Sequence, residues 1–243
     1  MISNLVKTFL ELGDATSRNL KFSHRPDVYV SYGEETITET NLLEIRRRHS
    51  DRVHLEMFSK KKESLSGADW EWHIIGETWT LKMRVQAKRT QCKKDRLRIK
   101  YNQQRKFLLE CAEYANMRPM YCIYCTEPQR KIWTKCHPGY DFEGYQTGCL
   151  LADANHVSER TSNLSEIEHK CFPWHLLFDQ DETGWDGPTI AELNENMDGD
   201  FNRNGVHETN RDDAERLSNS PVGQTEISDR GTHRIMKIDV RDQ

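Results

Sequence analysis

No run of apolar residues in this 243-residue chain approaches the ~20 that a membrane-spanning helix needs. The N-terminal stretch, MISNLVKTFLELGD, alternates apolar with charged side chains and lacks the unbroken apolar core of a secretory signal. Both absences point to a cytoplasmic protein with no membrane partner. No internal repeat is present, which excludes an architecture of stacked units. A strong net charge is missing as well. The balance is −4, so overall charge gives no reason to expect a polyanionic partner. With 35% hydrophobic and 30% charged residues the chain is polar but globular, long enough for one well-buried domain with appendages.

The charge that is present is unevenly placed. Residues 179–243 hold sixteen acids and seven bases, a balance of −9, which leaves +5 on residues 1–178. Between Lys82 and Lys106 stand eleven Lys or Arg and one acid, Asp95. An isolated basic run is most often a solvated helix face. This one adjoins the constellation described below, and a basic face beside such a site suits a polyanionic substrate. Lys60, Lys61 and Lys62 lie in a further basic loop that can rest against a phosphate backbone.

Met1 to Leu12 reads as a short helix with Leu5, Val6, Phe9 and Leu10 on one side. Turn-rich residues from Gly13 to Val28 and an extended Val28-Tyr29-Val30 follow. Thr36 and Glu39 have the spacing of a capping box, and Leu42, Leu43 and Ile45 continue at helical intervals. That helix ends in Arg46, Arg47, Arg48 and His49, cations suited to a helix C-terminus. Arg52 to Phe58 alternates Val53, Leu55 and Met57 as a strand does. The spacing of Leu97, Tyr101, Gln104, Leu108, Cys111 and Ala115 predicts a long amphipathic helix over Lys93 to Met117. Pro119 stops it before a buried strand from Met120 to Cys125. Gly148 to Val157 adds a core element and Phe172 to Phe178 a capping one. Past Asp179 apolar residues thin out, and Phe201 to Gly231 reads as disordered or loosely packed, with Ile235 to Val240 a candidate terminal strand.

Between the two helix patterns lies Gly67 to Arg89, GADWEWHIIGETWTLKMRVQAKR. Ala68 to Ile75 and Thr80 to Ala87 read as two strands joined by Gly76-Glu77-Thr78-Trp79. A four-residue loop sets Ile75 opposite Thr80 and therefore Asp69 opposite Gln86. Gln86 and Lys88, two residues apart, share one face of the sheet. A carboxylate, an amide oxygen and an ammonium group then converge on one small area of sheet, suited to a hard metal ion and a phosphate. Trp70, Trp72 and Trp79 crowd the same hairpin, more in keeping with packing than with base stacking. His73 on the same strand is placed to lie close to a substrate.

An Asp on one strand followed by (D/E/Q)-x-Lys on the next resembles the signature of PD-(D/E)XK nucleases. Val85-Gln86-Ala87-Lys88-Arg89 is similar to the Gln-x-Lys branch of that superfamily, the Mrr-like restriction endonucleases. The order helix, three strands, helix, strand from Glu35 to Cys125 is similar too. The resemblance implies an α/β, restriction-endonuclease-like core with a mixed central sheet flanked by helices over residues 35–178. Residues 1–34 then form an N-terminal helix and extended segment, and 179–243 an acidic, partly disordered extension. It implies a metal-dependent nuclease, a DNA endonuclease of a prokaryotic defence or mobile-element setting, using magnesium, with manganese as a substitute. Asp69 would be the principal metal ligand, with the Gln86 amide oxygen and the Ala87 carbonyl contributing. Lys88 would orient the attacking water or offset charge developing on the phosphate. An acid on the first helix completes many such sites. Glu35 is the first candidate, Glu39 the second because its side chain is engaged in the capping box, and Glu44 the third. Arg89, Lys93 and Lys94 join Lys60, Lys61 and Lys62 as nucleic-acid contacts, and a homodimer is the candidate assembly. One departure stands out: Gln86 replaces the usual second carboxylate and removes a negative charge from the metal site.

Two other classes fit parts of the chain. Gln86 also suits a nucleic-acid-binding module whose nuclease site is inactive. Among seven cysteines, Cys122-x-x-Cys125 with Cys136-His137 downstream has the residue types of a zinc site and suits a zinc-stabilised interaction protein. Against zinc, Cys122 falls in the expected buried strand, where it and Cys125 point to opposite faces, whereas zinc knuckles place the pair on a turn. Buried free thiols are the default in a reducing cytosol. His137, His156, His169 and His175 show no ligand spacing.

Overall fold

The computed structural model describes residues 4–57, 67–76, 79–91, 97, 103–126, 147–158, 161, 163–178, 205–208, 211–219 and 234–241. These residues form a mixed α/β fold, with four α-helices and an open, mixed eight-stranded sheet. In chain order the elements are α1 (Asn4–Ser23), α2 (Glu34–Arg48), β1 (Val53–Met57), β2 (Trp70–Ile75), β3 (Trp79–Arg89) and α3 (Gln103–Tyr114). Then come β4 (Arg118–Tyr124), β5 (Cys149–Asp153), β6 (Cys171–Pro173), β7 (Val206–Glu208), α4 (Arg211–Asn219) and β8 (Arg234–Asp239). Across the sheet the strands run β1-β8-β2-β3-β4-β5-β6, and β7 pairs with the first residues of β3. The β2–β8 and β3–β4 pairs are parallel and the others antiparallel.

Alternation along β2 and β3 divides the core between the two faces of the sheet. Trp70, Trp72 and Ile74 of β2, with Met83, Val85 and Ala87 of β3, face α1, α2 and the 3-10 turn Trp174–Phe178. Phe9 is the pivot of this layer, with its ring centroid 4.2 Å from Phe178, 4.8 Å from Trp174 and 6.0 Å from Trp72. The Trp174 indole donates to the Phe9 carbonyl at 2.7 Å. Trp70 and Trp72 are thus packing residues, and Trp79 rests partly buried against the same cluster. The opposite face carries Tyr121 and Ile123 of β4, covered by Leu108 of α3.

Three helix boundaries differ from the periodicity reading. Helix α1 runs through Gly13 to Ser23, because Leu12, Thr16, Ser17 and Leu20 continue the buried face begun by Leu5 and Phe9. The polar run after Gly13 looks like a turn only while that burial is invisible. Helix α2 starts at Glu34 after an extended Gly33 with no side-chain cap, so the Thr36–Glu39 capping box does not form. Helix α3 is described over Gln103–Tyr114, and Leu97, expected within it, is buried outside any helix.

The largest revision concerns the acidic C-terminal region. Strand β8 is no terminal appendage, because it lies between β1 and β2 and hydrogen-bonds to both. Ile235, Met236, Ile238 and Val240 are buried there, and α4 covers the strand, with the Lys237 ammonium donating to the Leu217 carbonyl at 2.7 Å. Within Phe201 to Gly231, read as disordered or loosely packed, β7 and α4 are ordered elements.

Candidate functional site at the end of strand β3

The hairpin has the expected register. Ile75 lies opposite Thr80 and Trp70 opposite Val85, which aligns Asp69, one residue before β2, with Gln86. Because β2 begins only at Trp70 while β3 continues to Arg89, the end of β3 has, among the described residues, a strand neighbour on one side only, β4. On the other side two carboxylates take the backbone donors a strand would have used. Asp69 Oδ2 accepts the Ala87 N–H at 2.6 Å, and Glu34 Oε1 accepts the Arg89 N–H at 2.9 Å. Alternate amides of a strand are ~7 Å apart, so acids from two separate elements meet along one short edge.

Glu34 was not among the acids expected here. The sheet-facing side of α2 carries Ile37, Thr38, Asn41, Leu42 and Ile45, and Glu34 is in phase with it. Glu35 and Glu39 fall on the exposed side. Glu44 is committed elsewhere, since hydrogen bonds from Arg47 and Arg48 hold its carboxyl down at about 2. Sequence reasoning could have found Glu34 by phasing the helix on its buried residues instead of on a cap. The first turn of α2 is pinned from β4. Thr38 Oγ1 lies 2.8 Å from the Glu34 carbonyl and 2.8 Å from the Tyr124 hydroxyl. A hydroxyl has one proton, and the carbonyl can only accept, so Thr38 donates to Glu34 and Tyr124 donates to Thr38. Burial pushes the Tyr124 phenol well above its usual value and keeps it a donor.

Gln86 is buried, and its Nε2 donates to the Gly67 carbonyl at 2.9 Å. Gly67 has φ +68, and a Cβ there would stand 2.2 Å from the Gln104 carbonyl oxygen of α3. The amide therefore ties β3 to the tight turn on which α3 rests. Lys88, on the same face, is partly exposed and has no carboxylate partner among the described residues. Arg89 is partly exposed and donates from Nη1 to the Tyr32 carbonyl at 3.2 Å. Lys60, Lys61, Lys62, Lys93 and Lys94 lie outside the described residues.

His73 is not at this edge. It sits farther along β2 in a buried polar cluster, Nε2 3.5 Å from Glu71 Oε2, while Glu71 Oε1 pairs with Arg84 Nη2 at 2.9 Å. Burial, the leading cause, lowers the His73 pKa, with Lys82 and Lys237 adding to it. Cys122 and Cys125 belong to different core clusters on opposite faces of the sheet, as strand alternation requires. Burial raises the Cys122 thiol far above its usual value, so it is protonated. Cys136 and His137 lie outside the described residues.

The donors at the β3 edge suit a hard cation in kind. They are carboxylate oxygens, and the Cys122 thiol behind Asp69 is protonated. They are few, since among the described residues no group of three His, Cys, Asp or Glu is placed to hold a metal ion. Water and a substrate phosphate would have to complete the shell of any magnesium held by Asp69 and Glu34.

Over residues 5–238 the chain matches the family described as "Family of unknown function (DUF6615)", and it belongs to that family. No curated protein and no solved structure matches it. Among the described residues no helix is long and apolar enough to cross a membrane.

Proposed function

Because membership of a family of unknown function brings no activity with it, we propose one from the site: a metal-dependent nuclease with a PD-(D/E)XK-like core, acting on nucleic acid, DNA first. The observation that carries this reading is the end of β3, where carboxylates stand in for a second strand neighbour among the described residues. There Asp69 and Glu34 hold alternate amides, and Gln86 and Lys88 project from the α3 side of the same strand end. Magnesium held by the two carboxylates would supply Lewis-acid polarisation of a phosphate oxygen and a more acidic water. Asp69 and Glu34 keep their orientation through the Ala87 and Arg89 amides. Lys88, which has no carboxylate partner among the described residues, would offset the negative charge that grows as water oxygen attacks phosphorus and the ester oxygen departs with a proton. Gln86 serves the framework through Gly67.

The test is incubation of plasmid, linear and single-stranded DNA, and RNA, with magnesium, manganese or EDTA. Wild type should cleave only with a divalent ion. Asp69→Ala and Lys88→Ala should each lose on the order of a hundredfold or more in rate. Lys88→Ala should keep the wild-type melting temperature, whereas Asp69→Ala, which leaves the Ala87 N–H without its acceptor, should stay folded but lose about 1–3 kcal/mol. Full activity in either folded variant overturns the assignment. The engagement of Gln86 with Gly67 favours a second reading, a binding module without catalysis. Retention of labelled oligonucleotide with no cleavage under any ion would select it.

A further inference from the structure

Beside the proposed site the fold leaves a cleft of 350 Å³, lined by Ser23, His24, Val30, Ser31, Tyr32, Arg89 and Gln91. It lies where the C-terminal end of α1, the extended segment before α2 and the end of β3 meet. None of its lining side chains is a carboxylate, and its polar groups are a guanidinium, an imidazole, three hydroxyls and an amide. Such a lining favours an anionic ligand rich in hydrogen-bond acceptors. Arg89 belongs to both places at once, with its backbone N–H on Glu34 and its guanidinium in the cleft. Tyr29, next to the lining Val30, is 96% exposed, and Val30 itself is 71% exposed. Phe22, next to Ser23, is 56% exposed, with the Arg25 guanidinium 5.3 Å from its ring centroid. Aromatic rings left in water beside a cation-bearing cleft are the elements from which single-strand binding surfaces are built.

We propose that this cleft and its exposed rim receive one unstacked nucleotide of a single-stranded nucleic acid, with its phosphate on Arg89 in the cleft and its base on Tyr29 at the rim. The inference rests on the reading of Asp69 and Lys88 as the cleavage site. It adds the substrate class: a base laid on the face of Tyr29 has to be out of the duplex stack, so the chain acts on single strands or on a nucleotide drawn out of the stack.

The experiment is fluorescence anisotropy on the full chain in EDTA, with a labelled single-stranded oligodeoxynucleotide, the same sequence as RNA, and the DNA duplex. At least one single strand should bind on the order of tenfold tighter than the duplex, and that strand identifies the sugar preferred. Tyr29→Ala should weaken single-strand binding roughly tenfold, as the loss of one stacked base does, and leave duplex binding within about twofold. Arg89→Gln should lower the salt slope by about one. Should Arg89→Gln fail to fold, the exposed Tyr29→Ala decides alone. Equal binding of duplex and single strands, or unchanged affinity in Tyr29→Ala, overturns the proposal. Because binding is read without a divalent ion, the two readings fail separately. Cleavage with duplex preference would refute the cleft and spare the site, and tight single-strand binding without cleavage would do the reverse.

Discussion

At the scale of single residues, Gln86 separates a metal ligand from a structural amide. Its Nε2 is the donor that satisfies the buried Gly67 carbonyl. Gln86→Glu would set an anionic oxygen against that carbonyl, and Gln86→Ala would leave it without a partner. Each should cost about 1–3 kcal/mol of stability, read as a lower melting temperature before any effect on metal affinity. Unchanged melting in both would show that the Gly67 bond contributes nothing. Three histidines make a second prediction. Burial is the leading cause lowering His49, His73 and His207 below the ordinary 6.5. Near that pH the unfolded chain takes up protons that the folded chain refuses. Their contribution is therefore fully present above about pH 6.5 and lost as pH falls below it. Melting temperature should drop between about pH 7.5 and about pH 5.5, and His73→Gln should flatten part of the drop. A melting temperature that rises on acidification over that range contradicts the assignment.

Among the elements, the site depends on one approach of α3 to the turn before β2. Gly67 has φ +68, and a Cβ there would meet Gln104 O at 2.2 Å and Leu108 N at 2.4 Å, both backbone atoms of α3 that cannot rotate away. Left-handed backbone costs a non-glycine residue about 1–2 kcal/mol before any displacement of the helix. Gly67→Ala should exceed that cost, and since Asp69 follows two residues later it should lose cleavage along with stability. Thermal melting checks the first part and the cleavage assay the second. A variant with wild-type melting would mean that α3 yields without strain.

For the molecule as a whole, the closing segment of the chain is an internal part of the sheet. Ending the chain at Asp200 deletes β8, among the described residues the only strand paired with β1, and a neighbour of β2. It also removes Ile235, Met236, Ile238 and Val240 from the core. Each such side chain contributes about 1.5–3 kcal/mol on burial, a total comparable to the 5–15 kcal/mol that holds a domain together. The truncated chain should lose cooperative thermal unfolding, followed by circular dichroism. A sharp transition near the wild-type temperature would show that β1 and β2 stand without β8.

Local pattern determined the parts of this protein that depend on spacing along a few residues. The loop between Ile75 and Thr80 sets the register of β2 on β3, and alternation then puts Gln86 and Lys88 on one face and Cys122 and Cys125 on opposite ones. None of that requires knowledge of distant residues. Tertiary structure decided what depends on contacts far apart in sequence. Burial against the sheet, not a cap, sets where α2 begins, and so turns Glu34 instead of Glu35 or Glu39 toward Arg89, 55 residues away. Gln86 is tied to the framework through its Nε2 because Gly67, 19 residues earlier, offers its carbonyl. Strand β8 is six residues long, and nothing along those six announces that β1 and β2, far upstream, leave a gap for a strand that pairs with both.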